Sequence, residues 1–561
     1  MPGRLPDKYC LLFLLVAFGS TLGTTAVSYA TSAPGLQGMV ASVDEHASRI
    51  GIEVLEKGGN AVDAAVAVHM VLAVTHPQAG NLGGGGFIVI HMEDGNINTA
   101  IDFREKAPLA SRRDMYLDEA GDVIPGASTL GYMASGVPGA VAGMWDIHRK
   151  YGTLPWEDLL EPAYQLARDG FIVGDRLAQD LADAREKLAR FPATAAVFTR
   201  DGKTIEAGDF LMQEDLALTI LRIMENGRDG FYTGPVAELI AADMKANGGI
   251  ITEEDLAAYK PVERKPIVCE FRGHTIVSMP PPSSGGLLLC QMLAMLADYD
   301  LEGLGHNSAD YIQLLTEVEK LAYADRAEYL GDSDFYHVPA AYLLSPGYIA
   351  VRAAGIDPER ATPSSGITHG PRSVGEIEGS MLEEPTDRAP DKLKERPRDL
   401  ENRKAAEDPA RRESTETTHF SIVDRHGNAI SCTTTLNSRF GSGVVAAGTG
   451  VLLNNEMDDF SIKPGVPNIY GLVGGEANAI EPEKRMLSSM TPTIVLEEGD
   501  AMLVLGSPGG STIITTVLQV ILNVLVYDMS LEKAVGAPRF HHQWLPDETR
   551  VESAGFPADV L

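Results

Sequence analysis

The apolar and polar positions along the chain change rhythm twice, and the changes divide it. "SRIGIEVLEKGGNAVDAAVAVHMVLAVTHP" has helical spacing and predicts two helices. Gly58 and Gly59 stop the first, and Asn60 caps the second, whose alanine- and valine-rich faces mark it as buried. "GNLGGGGFIVIHM" then predicts a glycine loop entering a strand. From about Met144 to Leu330 helical spacing dominates, as in "WEDLLEPAYQLARDG" and "ADYIQLLTEVEKLAYADRAEYL". "MPPPSSGG" interrupts it as a rigid turn-rich loop, Met279 to Gly286. From about Gly366 to Glu416 apolar content collapses while charge and proline rise, which predicts a disordered segment or exposed loop. After Thr417 the texture becomes strands. "THFSIV" and "AISCTTTL" flank the turn "DRHGN", "TPTIVLEEGDAMLVLGS" reads as another hairpin, and "PGGSTIITTVLQVILNVLV" as a glycine turn opening an apolar helix. Hairpins plus buried helices in both halves predict a layered α/β arrangement with antiparallel sheets.

The first hairpin places particular side chains. Its turn, Asp424 to Asn428, is centred on His426, so partner residue numbers sum to about 852 and Thr417 faces Thr435. Asn437, two residues on, is expected on the same face. On geometry alone this is an ordinary cross-strand Thr–Thr pair. The chemistry changes if the chain is cut before Thr417. A threonine hydroxyl is a weak nucleophile, but an N-terminal threonine carries its own base, an α-amine with a pKa near ~8. The same hydroxyl can attack the Glu416 carbonyl and cut the chain itself. "GSPGGST" adds Gly509 and Gly510 at a helix start, where free N–H groups favour a developing oxyanion.

Composition narrows the alternatives. The 561 residues are 44% apolar and 22% charged, as in a globular protein. A formal net charge of -32 argues against nucleic acid as a partner. Arg4 and Lys8, the apolar "CLLFLLVAFGSTLG" and the small-residue "AVSYA" ending at Ala30 predict a secretory signal over residues 1–30, hence a periplasmic or secreted location. No later segment reaches ~18 uninterrupted apolar residues, so no membrane span is expected in the mature protein. Cys269, Cys290 and Cys432 remain after the signal; an odd count allows one bridge but favours buried free thiols over a disulfide framework. No metal-ligand spacing is evident, and adjacent His541 and His542 point different ways. The run Gly83–Gly86 lacks the Lys-Ser/Thr of a phosphate loop and leads into a strand, so close backbone packing is favoured over nucleotide binding. No cofactor is implied.

"TTHFSIVD", "TTTLNSRFGSG", "LLNNEMDDF", "PNIYGLVGG", "MLSSMTPTIV", "GSPGGSTIITT" and "APRFHHQWLPD" together resemble the γ-glutamyltransferase, or γ-glutamyltranspeptidase, family. In the first half "GGNAVDAAVA", "GNLGGGGF", "DFREKAP", "SGVPGAVAGM" and "MPPPSSGG" follow in the same order, and the resemblance covers nearly all of residues 36–550. It is greatest to the bacterial periplasmic type.

The resemblance implies an α+β N-terminal-nucleophile hydrolase fold, a four-layer αββα sandwich. It implies a proenzyme cut at Glu416–Thr417 into a large subunit, 31–416, and a small catalytic subunit, 417–561. Thr417 would form a γ-glutamyl ester with donors such as glutathione, passed to water or to an amino acid or dipeptide. By the same matches Thr435 orients the nucleophile, and Gly509 and Gly510 form the oxyanion hole. Arg104 binds the substrate α-carboxylate with Ser488 and Ser489. Asn437, Glu456 and Asp459 surround the α-amino end, and Tyr470 is a lid. Physically, a zwitterionic head needs a cation at one end and anions at the other.

Two departures stand out: the charged run before Thr417 is long for the family, and the chain stops at "VESAGFPADVL" where relatives continue with a terminal sheet element. Loss of that element is expected to expose a strand edge. The competing expectations are an acylase of the same fold acting on glutaryl-type amides, and an uncut, inactive γ-glutamyl-peptide-binding protein.

Overall fold

The computed structural model describes residues 31–35, 38–372, 417–552 and 555–561. The expected signal 1–30, the bulk of the charged run and Glu416 of the expected scissile bond lie outside the described residues. The start of that run is packed: Ile367 is buried and the Thr368 carbonyl accepts from Arg352 Nη1 at 3.0 Å.

Eleven strands form two antiparallel sheets. In chain order they are β1 (Thr31–Gly35), β2 (Gly38–Ser42), β3 (Gly85–Met92), β4 (Ile97–Asp102), β5 (Val262–Arg264) and β6 (Ile267–Phe271). β7 (His274–Ser278), β8 (Thr417–Asp424), β9 (Ala429–Thr435), β10 (Thr493–Glu497) and β11 (Asp500–Leu505) complete the set. The larger sheet has the order β1-β2-β8-β9-β3-β4-β5, and the smaller β6-β7-β10-β11. Both sheets therefore combine strands from before and after Thr417, and the larger one interleaves them.

The layers follow from alternation along the strands. Even-numbered Ile88, Ile90, Ile422, Ile430 and Cys432 face outward into one core with α1 (Glu45–Glu56), α2 (Ala61–Thr75), α3 (Trp156–Asp169) and α4 (Glu214–Asn226). All of α2 is buried, which explains its lack of a polar face. Its start is the expected cap: the Asn60 side chain accepts from the Val62 and Asp63 N–H groups. The outer face of the smaller sheet packs on α5 (Gly285–Leu296), α6 (Ala309–Tyr329) and α7 (Ile513–Leu525).

Between the sheets lie Phe87, Val89, Val277, Ala429, Ile494 and Leu496. Buried hydroxyls also cross this layer. Ser421 donates to the Val504 carbonyl at 2.9 Å and Ser431 to that of Leu505 at 2.8 Å. The result is the four-layer αββα sandwich expected from the resemblance. Thr417 shares the face of Ser421, so alternation aims it between the sheets.

One expectation is overturned. Cys269 on β6 and Cys290 on α5 form a disulfide, and only Cys432 is a buried free thiol among the described cysteines. Cysteine count could not show that α5 packs back on the sheet that carries Cys269, bringing the two Cα atoms to 5.9 Å. The bridge closes a loop with a sequence separation of 21 residues. A Cys269→Ser/Cys290→Ala variant is expected to lose about 3 kcal/mol in urea denaturation, from the entropy returned to the unfolded chain. An unchanged midpoint would contradict that assignment.

Candidate active site

The β8–β9 register is the one counted from the turn: Thr417 pairs with Thr435, Phe420 with Cys432 and Val423 with Ala429. Thr417 donates its hydroxyl to Thr435 Oγ1 at 3.3 Å, and Thr435 Oγ1 also accepts the Asn437 N–H at 2.9 Å. Both threonines are buried. Behind them, the glycine run does what close packing predicts. A Cβ on Gly84 would stand 2.1 Å from the Thr435 carbonyl oxygen. Asn81 completes the support, its Nδ2 donating to the Thr435 carbonyl at 2.9 Å and its Oδ1 accepting from Gly84 N–H at 3.0 Å.

Asn437 departs from its expected place. The strand ends at Thr435, and Asn437 turns away with φ 73°, a conformation asparagine tolerates. Its Nδ2 donates to the Asn455 carbonyl at 3.0 Å, yet the residue still lines the same pocket as Thr417.

That pocket opens to solvent, spans about 310 Å³ and is lined by Arg104, Arg326, Thr417, Tyr470, Ser488 and Gly510 among others. It also gathers Thr435, Asn437, Glu456, Asp459 and Ser489, so ten of the eleven residues singled out from the sequence meet here, 104, 417, 435, 437, 456, 459, 470, 488, 489 and 510. Gly509 precedes Gly510 with φ 128°, while Gly510 has φ 57°. Both conformations favour glycine, and a Cβ on Gly510 would meet the Tyr470 ring at 2.6 Å. Neither N–H has an acceptor among the described residues, and both lie just before α7. Two free donors at a helix start can bind a developing negative charge. Tyr470 covers this end, its hydroxyl donating to the Asn437 carbonyl at 2.6 Å.

At the other end Arg104 is 0% exposed. Its Nη1 donates to Glu456 Oε1, and its Nη2 to Asp459 Oδ2 at 2.5 Å. Glu105 is 3.7 Å away. Burial works against the Arg104 charge, but the three carboxylates outweigh it and hold its pKa above the ordinary value. Burial raises Glu105, Glu456 and Asp459 in turn, opposed by Arg104. The cation and anions touch, where the sequence reading set them at opposite ends. Touching poles suit a ligand whose ammonium and carboxylate share one carbon.

The serines form a second pole. Ser488 Oγ accepts the Met490 N–H at 3.1 Å, and Ser489 Oγ accepts from Arg326 Nη2 at 3.4 Å. Arg326 escaped the sequence reading, because "ADRAEYL" is equally the surface of a charged helix. His541 and His542 go separate ways. His541 Nδ1 bonds Thr515 Oγ1 at 2.9 Å, and His542 Nε2 lies 3.4 Å from Asp547.

Burial keeps His69, His541 and His542 neutral, their pKa values lowered to about 4. The unfolded chain binds protons on these groups near pH 6.5 and the folded chain does not. Their contribution is therefore present above pH 6.5 and lost as pH falls toward 4. Asp458, raised by burial to about 6, acts in the opposite sense over part of that range. The raised carboxyls of Glu105, Glu456 and Asp459 act in that same opposite sense, so histidines and acids offset one another as the pH falls.

Comparison with known proteins fits this geometry. The sequence profile of the Gamma-glutamyltranspeptidase family matches residues 47–561. The "Glutathione hydrolase proenzyme" of Escherichia coli is 52% identical over 526 residues, 94% of this chain and 84% of that protein. The crystal structure of Helicobacter pylori gamma-glutamyltranspeptidase is 45% identical with a TM-score of 0.58, covering 62% of this chain and 97% of that one. A cephalosporin acylase from Bacillus halodurans, 23% identical, shares the fold with a TM-score of 0.77, covering 97% of this chain and 90% of that one. The sandwich is thus the N-terminal-nucleophile hydrolase fold, and the chain belongs to the gamma-glutamyltranspeptidase family.

Proposed function

We propose that this chain is a precursor that cuts its own Glu416–Thr417 bond and then cleaves γ-glutamyl amides such as glutathione. The observation that carries the reading is Thr417 Oγ1, 3.3 Å from Thr435 Oγ1, beside a pocket whose far end holds the buried Arg104–Glu456–Asp459 cluster. In self-cleavage Thr417 Oγ attacks the Glu416 carbonyl carbon, the C–N bond breaks to leave an ester and a free Thr417 α-amine, and water then hydrolyses the ester to the Glu416 acid and the Thr417 hydroxyl. The parts, 31–416 and 417–561, stay together because β8 and β9 pair with β2 and β3 on either side.

In turnover the new α-amine takes the Thr417 hydroxyl proton as Oγ attacks the substrate γ-carbonyl. The Gly509 and Gly510 N–H groups hold the oxyanion. The C–N bond breaks, the leaving amine takes the proton, and a γ-glutamyl ester remains. Water gives hydrolysis; an amino acid or dipeptide amine gives transfer. Arg104, Ser488 and Ser489 receive the α-carboxylate, while Glu456, Asp459 and Asn437 receive the α-ammonium. Tyr470 limits water access. Among the described residues no helix is long and apolar enough to cross a membrane. With the signal-like N-terminus this supports a periplasmic or secreted location.

Paired anilides test the reading against a glutaryl acylase. Release of p-nitroaniline from γ-glutamyl-p-nitroanilide is expected to exceed that from glutaryl-p-nitroanilide by at least ~10²-fold in kcat/KM, since a ligand without an ammonium leaves the excess of buried carboxylates over Arg104 uncompensated. Equal rates would favour the acylase. A single uncut chain that releases nothing from either would favour a binding protein.

A further inference from the structure

Arg326 is a buried cation that makes no ion pair within 4.0 Å among the described residues, Asp459 acting on it only from farther off, yet it lines the pocket that holds Thr417. An unpaired buried charge is costly, so such a group persists where something compensates it. Its own contacts say what. Nε donates to Ser284 Oγ at 3.0 Å and Nη2 to Ser489 Oγ at 3.4 Å. Ser284 Oγ in turn donates to the Ser488 carbonyl at 2.7 Å, and the Ser284 N–H to the same oxygen at 2.8 Å. One guanidinium therefore fixes both sides of the Ser488–Ser489 turn.

The direction of these bonds matters. Ser489 Oγ accepts from Arg326, and Ser488 Oγ from the Met490 N–H. Each hydroxyl keeps its proton to give, and a hydroxyl accepting from a cation is a stronger donor. Two free protons, that of Ser489 backed by a buried guanidinium that Asp459 offsets only from a distance, make a receptor for an anion. Arg104, by contrast, is already neutralised by Glu456 and Asp459. The same helix also holds the other end of the site. Tyr323, three residues earlier, donates its hydroxyl to the Ser511 carbonyl at 2.5 Å, next to Gly510. Spacing of three puts both side chains on one helix face, so α6 ties the oxyanion donors to the serine turn.

We infer that Arg326 is a positioning and specificity residue: through Ser489 and Ser284 it supplies the positive charge that selects substrates carrying a carboxylate on the carbon that bears the ammonium. This rests on the proposed reading of the pocket. The test uses the self-processed protein and two anilides, γ-glutamyl-p-nitroanilide and 4-aminobutyryl-p-nitroanilide, which lacks that carboxylate. Arg326→Met is expected to raise KM for the first at least tenfold with kcat within threefold, and to leave kcat/KM for the second within twofold. An unchanged KM for the first, or an equal loss on both, overturns the inference. Should Arg326→Met fail to fold, Arg326→Lys keeps the charge but not the two-pronged reach; a fivefold or greater rise in KM is expected, and a KM within twofold overturns the inference. Calorimetric titration with L-glutamate and 4-aminobutyrate reads the same preference without chemistry. Loss of glutamate selectivity in the variant supports the inference, and retained selectivity overturns it, even if the parent turns over neither anilide and the enzymatic reading fails.

Discussion

Thr417→Ala should remain one chain and release no measurable p-nitroaniline from γ-glutamyl-p-nitroanilide, a fall on the order of 10⁴-fold or more. The substitution removes one buried hydroxyl at the start of β8 and leaves the β8–β9 ladder intact, so the fold should survive. Thr417→Ser restores a hydroxyl and should recover cutting at a reduced rate. Electrophoresis and anilide release read both outcomes. A cut Thr417→Ala chain would assign the cleavage to another residue or to a contaminating protease.

Arg104→Met should have the second-largest effect, and on stability as well as binding. It strands Glu456 and Asp459 without their shared cation in a buried site. Breaking a buried ion pair from one side costs about 3–5 kcal/mol. On the proposed reading it also removes a cation that receives the α-carboxylate, so KM for a γ-glutamyl anilide should rise by at least ~10²-fold, with kcat less affected. Adding Glu456→Gln removes one of the stranded charges. Stability should recover in part while KM stays high. If the second substitution restores KM as well, Arg104 serves only to neutralise the carboxylates and does not touch the substrate.

What was legible in the sequence was what depends on short-range counting. A five-residue turn fixes a hairpin register, and so Thr417 could be set against Thr435 without knowing the rest of the fold. Asn60 and its cap, and the glycine run behind Thr435, are equally local. Other site residues, such as Arg104 and Glu456, were legible through family motifs, since nothing local shows that positions 352 residues apart will touch. The features that escaped depend on tertiary packing. Cys269 and Cys290 meet because α5 folds back on its own sheet. Asn437 leaves the ladder because the strand ends at Thr435. Arg326 looked like one more charge on a helix, and only burial beside Ser489 and Ser284 distinguishes it.

The interleaved larger sheet gives the proposed cut its physical sense. β8 lies between β2 and β9, held by backbone hydrogen bonds on both sides. Cutting its N-terminal end frees one amine next to the Thr417 hydroxyl without removing a strand. The amine then serves as base at the place where the hydroxyl is aligned by Thr435.

The most direct test of that claim is N-terminal sequencing and intact mass of the purified protein. The account predicts two polypeptides that co-purify, the smaller beginning Thr-Thr-His-Phe at Thr417. A single intact chain that nevertheless hydrolyses γ-glutamyl-p-nitroanilide, or a smaller piece beginning at any other residue, would contradict it.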